Sequence, residues 1–321
     1  VVAATRGNHG QSVGFAARRH GLRAVVVVPR GNSPEKNAAM RGLGVELREH
    51  GQDFQEALEH ARRLAAAEGL WPMPSFDPLL VRGVGTWALE LMRAVPDLER
   101  LYVPIGLGSG ICGALAAREA LSRRLEVVGV VSAGAPAYAR AFESGEPRPF
   151  PVTTEVADGM AVRTPDPEAL ALVRRGVARV VEVTDAEVEA AMAALFQDTH
   201  NLAEGAGAAG LAALLREGER NRGRSVGLVL TGANVDAERF ARALGRAGRA
   251  GRDSRHRSRQ LRHAAHPLPH RRSRPGPRRA LPLRADAPAH RPHHRAHRRV
   301  LARLEENPHR HRPVLDQQEH P

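Results

Sequence analysis

The sequence has 321 residues, a formal net charge of +13 and a single cysteine, long enough for one large or two ordinary domains with a substantial core. The charge is uneven: residues 1–245 hold 28 basic and 29 acidic side chains, a net −1, whereas 246–321 hold 20 Arg and 6 acidic residues, a net +14, so the total describes a tail and not the surface of the foldable part. Cys112 alone excludes an intramolecular disulfide framework and a Cys-built zinc site, and with no run of about 18 apolar residues to span a membrane the chain reads as cytoplasmic.

In chain order, Val1-Val2-Ala3-Ala4 reads as the middle of a strand with no initiator Met and no leader, the pattern of a fragment. Ala24–Val28 is the next strand, and Ser33-Pro34-Glu35-Lys36 opens a helix with an N-cap followed by Pro. A strand at Val45–Arg48 and a periodic helix over Asp53–Ala67 lead to Trp71–Pro78, whose prolines break the pattern as a hinge would. Leu101–Ile105, Val127–Val131, Arg179–Val183 and Val226–Leu230 are strands, several of them apolar throughout, as strands buried on both faces are. Helices over Gly113–Arg124, from the capping box Thr184-Asp185-Ala186-Glu187 to Phe196, and over Ala203–Glu217 lie between them. The repeat of strand, turn and helix predicts an α/β fold with open parallel sheets covered by helices. It divides into a lobe at 1–77, a second at 78–245, and a segment at 246–321. That last segment, rich in Arg, Pro and 11 His with little aliphatic pattern, is expected to be disordered.

Three turns carry chemistry. Gly106-Leu107-Gly108-Ser109-Gly110 runs from a strand into a helix, where backbone N–H groups unshielded by side chains make an anion cradle. From Gly108 the segment also fits GxGxxG, but the next strand ends Ser132-Ala133-Gly134 without the acidic residue a dinucleotide ribose requires. A phosphate-bearing cofactor, a dinucleotide and a purely structural turn all remain open on the residues alone. Thr5-Arg6-Gly7-Asn8-His9-Gly10-Gln11 is a second polar turn, able to hold a carboxylate on its N–H groups or simply to cap a helix; His9 titrates near neutrality when unperturbed. Leu230-Thr231-Gly232-Ala233-Asn234 stands at the end of the last strong strand, where ligands of open α/β sheets gather, and Thr231 suits a ring nitrogen as well as it suits a turn.

Together these motifs resemble the fold-type II pyridoxal-phosphate enzymes, of tryptophan synthase β-like architecture, and within them the serine/threonine dehydratase (threonine ammonia-lyase-like) family, over about residues 1–245. Thr5–Gln11 looks like that family's Asn loop, Gly106–Gly110 like its phosphate loop, and Thr231 falls where a hydroxyl or thiol faces the pyridine nitrogen. Pro34–Gly44, Gly83–Thr86, Ala157–Met160 and Glu204–Ala208 are further matches. The resemblance implies pyridoxal 5′-phosphate held by Asn8, Gly106, Leu107, Gly108, Ser109, Gly110 and Thr231, with the substrate bound at Thr5, Arg6, Gly7 and His9. It implies dehydration and deamination of a hydroxyamino acid such as serine or threonine to a 2-oxo acid and ammonia, in a homo-oligomer when intact. Arg6 stands where racemases of the family carry a Ser acid/base, so racemisation by that route is not expected, and Arg6 is either an attractor for an acidic hydroxyamino acid or a surface cover for the turn. Where some relatives bind a divalent ion, this sequence has Ser132 and Tyr138, and no metal is expected.

The family's Schiff-base lysine belongs to a motif upstream of the Asn loop, and no residue of this sequence matches it. Lys36, the only lysine, follows the loop and is expected to be a solvated helix residue, so the chain as given is expected to be inactive. For the basic segment, nucleic-acid binding is the alternative function; it would need only Arg density, but the segment has no aromatic residue for base stacking. Translation in a wrong frame of a GC-rich coding sequence, which yields Arg, Pro, Ala and His, is the preferred account of this segment.

Overall fold

A computed structural model describes residues 1–246 and the backbone of Arg299–Arg303. The chain begins with β1 (Val2–Ala4), α1 (Asn8–Arg19), β2 (Val25–Val28), α2 (Pro34–Gly42), β3 (Glu46–Glu49) and α3 (Phe54–Glu68), which build a parallel sheet in the order β1-β2-β3. After α4 (Pro78–Val84) and α5 (Thr86–Ala94) come β4 (Arg100–Pro104), α6 (Ser109–Ala120), β5 (Glu126–Ser132), α7 (Ala137–Ser144), a single 3₁₀ turn (Asp158–Met160) and α8 (Pro167–Gly176). Then follow β6 (Arg179–Val183), α9 (Asp185–Thr199), α10 (Gly205–Arg216), α11 (Gly218–Asn221), β7 (Ser225–Val229) and a helical segment over 237–246. The second sheet has the order β6-β5-β4-β7-β8, parallel from β4 to β7, with β8 (Arg299–Arg303) antiparallel to β7. The expected α/β architecture is therefore present, with a sheet on either side of the Trp71–Pro78 stretch.

The valine runs explain why the strands are central. In β2, Val26 and Val28 pack with Val13, Ala17 and Met40 from α1 and α2, while Val25 and Val27 pack with Ala57 and Ala61 of α3. A strand whose alternate side chains both meet helices must be apolar at every position. β4 and β5 do the same in the second sheet: Leu101, Val103, Val127 and Val131 face one core, Tyr102, Val128 and Val130 the other. The capping box at Thr184 forms as expected, with the Thr184 side chain accepting from the Glu187 N–H while the Glu187 carboxylate accepts from the Thr184 N–H at 2.8 Å.

The structure refines three expectations. The strand expected at Val45–Arg48 runs instead from Glu46 to Glu49, and both of these end residues are exposed, because β3 is the edge of its sheet. Trp71–Pro78 is not a bare hinge: the Val2 N–H donates to the Trp71 carbonyl at 2.9 Å and the Met73 N–H to the Val2 carbonyl at 2.8 Å, a one-residue bridge beside β1. The segment from 246 is not wholly without structure. Arg246, the last described residue of the helical segment, pairs with Glu189 at 2.7 Å, and Arg299–Arg303 lies along β7, where it satisfies backbone groups that an edge strand would leave open. The remainder of that segment, and with it the disorder, nucleic-acid and wrong-frame readings, lies outside the described residues.

At the N-terminal edge of the second sheet the first residues of three strands form an ionic network. Arg100 contacts Glu126 at 2.6 Å, Arg179 pairs with both Glu126 and Glu217, and the Tyr102 hydroxyl donates to Glu217 at 2.6 Å. Asn221, fully buried, accepts from Arg100 at 2.6 Å and donates to the Leu214 carbonyl at 3.2 Å.

α6 crosses the α4–α5 corner at backbone contact. A Cβ on Gly113 would lie 2.8 Å from the Gly85 Cα and 2.9 Å from its N, atoms that cannot swing aside. Gly113→Ala is therefore expected to destabilise the chain by about 1–3 kcal/mol through overpacking, although Ala is the better helix former by about 1 kcal/mol. Urea unfolding gives the check: a variant midpoint at or above that of the parent would show that the two helices can separate freely.

Candidate active site

Each candidate loop leaves the C-terminal end of a parallel strand, the edge at which α/β sheets present ligand sites. The turn Thr5–Gly7 follows β1, Ile105–Gly108 follows β4, and Leu230–Asp236 follows β7. Asn8 joins the first to the third. Its Nδ2 donates to the Glu204 Oε1 at 2.7 Å, and its Oδ1 accepts from the Asn234 Nδ2 at 2.9 Å. Glu204 precedes α10, and its own N–H donates to the Gly232 carbonyl at 3.0 Å. The Asn loop, the Glu204 corner and the Thr231 loop are thereby one hydrogen-bonded unit.

Glu204 is 4% exposed. Burial pushes its carboxyl up to about 7; Lys36 opposes that shift, Asp158 adds to it, and hydrogen bonds from Asn8 and the Asn234 backbone oppose it further. Lys36 itself is the main correction to the sequence reading. It is not a solvated helix residue: it is 6% exposed, and its Nζ contacts the Asp158 Oδ2 at 2.5 Å. Its Cδ lies 3.0 Å from the place a Cβ on Gly7 would occupy, so the lysine stem runs under the Asn loop. Helix periodicity could not reveal this, because the partner stands 122 positions away on the 3₁₀ turn. Two more links connect the start of α2 to the segment after Thr231: the Ser33 hydroxyl donates to Asp236, and the Ala237 N–H donates to the Glu35 Oε1 at 3.0 Å.

The glycine loop has the form of an anion site. Gly108 takes φ +104°, in the left-handed region, and a Cβ there would sit 2.7 Å from the Ala169 Cβ. Among the described residues no side chain caps α6, and its first turn holds no acidic residue, so the first N–H groups of that helix keep their hydrogen-bonding capacity. A Cβ on Gly110 would meet nothing within 4 Å, whereas one on Gly106 would lie 2.6 Å from the Gly159 carbonyl oxygen. The turn beginning at Asp158, whose side chain holds Lys36, therefore also covers the glycine loop.

Among the other predicted residues, Thr5 is buried and its hydroxyl accepts from the Gly7 N–H at 2.9 Å, which shapes the turn. Burial lowers the His9 pKa, opposed by the Met73 backbone, and so keeps the ring neutral at pH 7. Arg6 Nε, His9 Nε2 and Gln11 Nε2 are buried without a hydrogen-bond partner among the described residues. Thr231 is exposed on its loop, tied to Asn8 through Gly232 and Glu204. Ser132 ends β5, its hydroxyl accepting from the Gly134 N–H; among the described residues no group of three or more His, Cys, Asp or Glu is placed to hold a metal ion.

A family profile described as pyridoxal-phosphate dependent enzyme matches residues 1–232, and this chain belongs to that family. The L-threonine ammonia-lyase of Geobacter sulfurreducens is 35% identical over 254 residues, covering 78% of this chain and 63% of that protein. The catabolic L-threonine dehydratase of Escherichia coli is 32% identical over 248 residues, with 76% of this chain and 75% of the relative covered. Among solved structures, the processed form of threonine deaminase isoform 2 from Solanum lycopersicum superimposes with a TM-score of 0.72 at 27% identity, covering 77% of this chain and 73% of that one. The chain spans about three fifths of the length of two L-threonine ammonia-lyases that it matches, 63% and 61%.

The residues present fit pyridoxal phosphate. The uncapped α6 N-terminus behind Gly106–Gly110 suits a phosphate, open space adjoins Gly110, and the orphaned polar atoms of the Asn loop are the kind that a ligand satisfies.

The Glu204 carboxyl titrates near 7 in the folded chain and near 4.5 when unfolded, so the folded state holds the extra proton between those values. Stability then falls as pH rises through that window. Glu204→Gln, which still accepts from Asn8, is expected to remove the corresponding slope. Unfolding free energies measured across pH 4.5–7 test this, and parallel profiles in parent and variant would overturn it.

Proposed function

We propose that this chain carries the cofactor- and substrate-binding machinery of a pyridoxal-phosphate-dependent α,β-elimination, in which a hydroxyamino acid such as serine or threonine loses water and the resulting imine takes water up again on hydrolysis, leaving a 2-oxo acid and ammonia. The observation that carries the reading is the junction at Asn8: one carboxamide gathers the Asn loop, Glu204 and the Thr231 loop beside an open glycine turn, in a chain similar to proteins named threonine ammonia-lyases.

In this reading residues 1–77 form a small lobe and 78–245 a large one, with the site between them. Backbone N–H groups of Gly106, Leu107, Gly108, Ser109 and Gly110 take the phosphate, Asn8 supports the ring oxygen, and the Thr231 hydroxyl meets the ring nitrogen. The turn Thr5, Arg6, Gly7 and His9 receives the substrate carboxylate. Bound there, pyridoxal phosphate supplies the electron sink that acidifies the substrate Cα–H. His9, uncharged, offers its unpartnered Nε2 to a polar group of the substrate. Glu204 holds its proton to about neutral pH, which limits the negative charge beside the bound anions. Lys36 is engaged by Asp158 and balances that carboxylate. The anchoring lysine of the family has no counterpart in this sequence, so the chain as given binds cofactor without turning substrate over.

The test is release of 2-oxo acid and ammonia from L-serine and L-threonine. The chain with added pyridoxal phosphate is expected to release neither, and a version extended upstream through the lysine-bearing segment of its relatives is expected to release both in equal amounts. In that version Asn8→Ala should lower kcat/KM by about a hundredfold, the usual order for losing a preorganised polar contact in the site. An extended protein that acts on neither amino acid would sink the reading.

A further inference from the structure

Tyr138 lies in α7, outside every loop so far assigned to the site, and is 2% exposed. Its hydroxyl donates to the Leu107 carbonyl at 2.8 Å and accepts from the Asp166 N–H at 3.2 Å. Asp166 in turn caps α8, its Oδ1 accepting from the Glu168 and Ala169 N–H groups at 3.0 Å each. One buried oxygen thus binds α7, the start of α8 and the centre of the glycine loop. Its ring packs in the apolar core with Ile105, Ile111 and Cys112 on the same side of the second sheet.

The consequence for the loop follows from peptide geometry. In a planar trans peptide the C=O and the next N–H point in opposite directions. The Leu107 carbonyl is drawn toward the buried hydroxyl, so the Gly108 N–H is turned away from the core. A carbonyl left free to face the cleft would set a negative oxygen against an anion and remove the donor that should meet it. The contact is tight on the same side: a Cβ on Gly108 would come within 3.2 Å of the Tyr138 Oη and 2.7 Å of the Ala169 Cβ. Burial also pushes the Tyr138 hydroxyl well above its ordinary pKa, so it remains a donor throughout the working pH range.

We propose that Tyr138 is a positioning residue of the cofactor site: from behind the glycine loop, its hydroxyl fixes the Leu107–Gly108 peptide so that the Gly106–Gly110 N–H groups present themselves to a phosphate. The proposal rests on the reading of that loop as the phosphate site, and the experiment separates the two. Pyridoxamine 5′-phosphate and pyridoxamine, which share a ring and lack the aldehyde, are titrated calorimetrically into the full chain and into Tyr138→Phe. The parent is expected to prefer the phosphorylated compound. The variant keeps the aromatic ring and should lose about tenfold of that preference, the scale of one hydrogen bond to a charged-ligand site, with pyridoxamine affinity unchanged. The ³¹P resonance of the bound compound should move toward its free position.

An unchanged preference in the variant overturns the positioning role, and equal loss for both compounds overturns it in favour of general packing. A parent with no preference at all overturns the phosphate-loop reading itself and the proposal with it. If Tyr138→Phe does not fold, the chain's two tyrosines allow a second measurement on the unmutated protein labelled with fluorotyrosine. The Tyr138 ¹⁹F signal, told from that of Tyr102 by a Tyr102→Phe variant, should shift with pyridoxamine 5′-phosphate and not with pyridoxamine; a signal that ignores both, or answers both alike, overturns the proposal.

Discussion

The carboxamide of Asn8 is the joint on which the site depends. A carboxamide has one donor end and one acceptor end, and here each end reaches a different segment of the second half of the chain: Nδ2 to Glu204, Oδ1 to Asn234. Neither aspartate nor an aliphatic residue could satisfy both. The contacts of α2 reinforce the same junction, through Ser33 to Asp236, Glu35 to the Ala237 N–H and Lys36 to Asp158. The two sheets therefore meet across the site through polar and charged groups, whose geometry is directional, where an apolar contact would have allowed sliding.

The second sheet treats its two edges differently. At the N-terminal edge Arg100, Glu126, Arg179, Glu217, Tyr102 and Asn221 satisfy one another, a closed network in which buried charge is compensated. Across the C-terminal edges an uncapped helix start remains, and on the Asn loop stand the unpartnered Arg6, His9 and Gln11 atoms. Unsatisfied buried polar groups cost free energy, and in a chain that satisfies them elsewhere their concentration on one side is the physical mark of a place built for another molecule.

What could be read from the amino-acid order was whatever depends on neighbours in the chain. Val25–Val28 announced a strand buried on both faces, Thr184 and Glu187 a capping box, and the glycine and Asn turns their place between strand and helix, because these signals lie within a few residues of their effects. Lys36 could not be read correctly: helix periodicity gives its face but not what covers that face, and Asp158 arrives from the far half of the chain. Tyr138 was legible only as a residue occupying a possible metal position, since its contact with Leu107 depends on how α7 packs behind the loop. Arg299–Arg303 were hidden by the composition around them; an apolar triplet between two arginines carries little signal until β7 offers an edge to pair with.

The burial of Lys36 has a consequence for the rest of the described surface. With the only lysine amine enclosed, the side-chain cations left outside are guanidinium groups and a few histidines, and a guanidinium does not deprotonate in proteins. Clusters such as Arg23, Arg48, Glu46 and Glu68 on the first sheet therefore have no alkaline limit of the kind that discharges lysine-based pairs. The surface ion pairs of the fold therefore keep their charge even in alkaline solutions that would discharge a lysine amine.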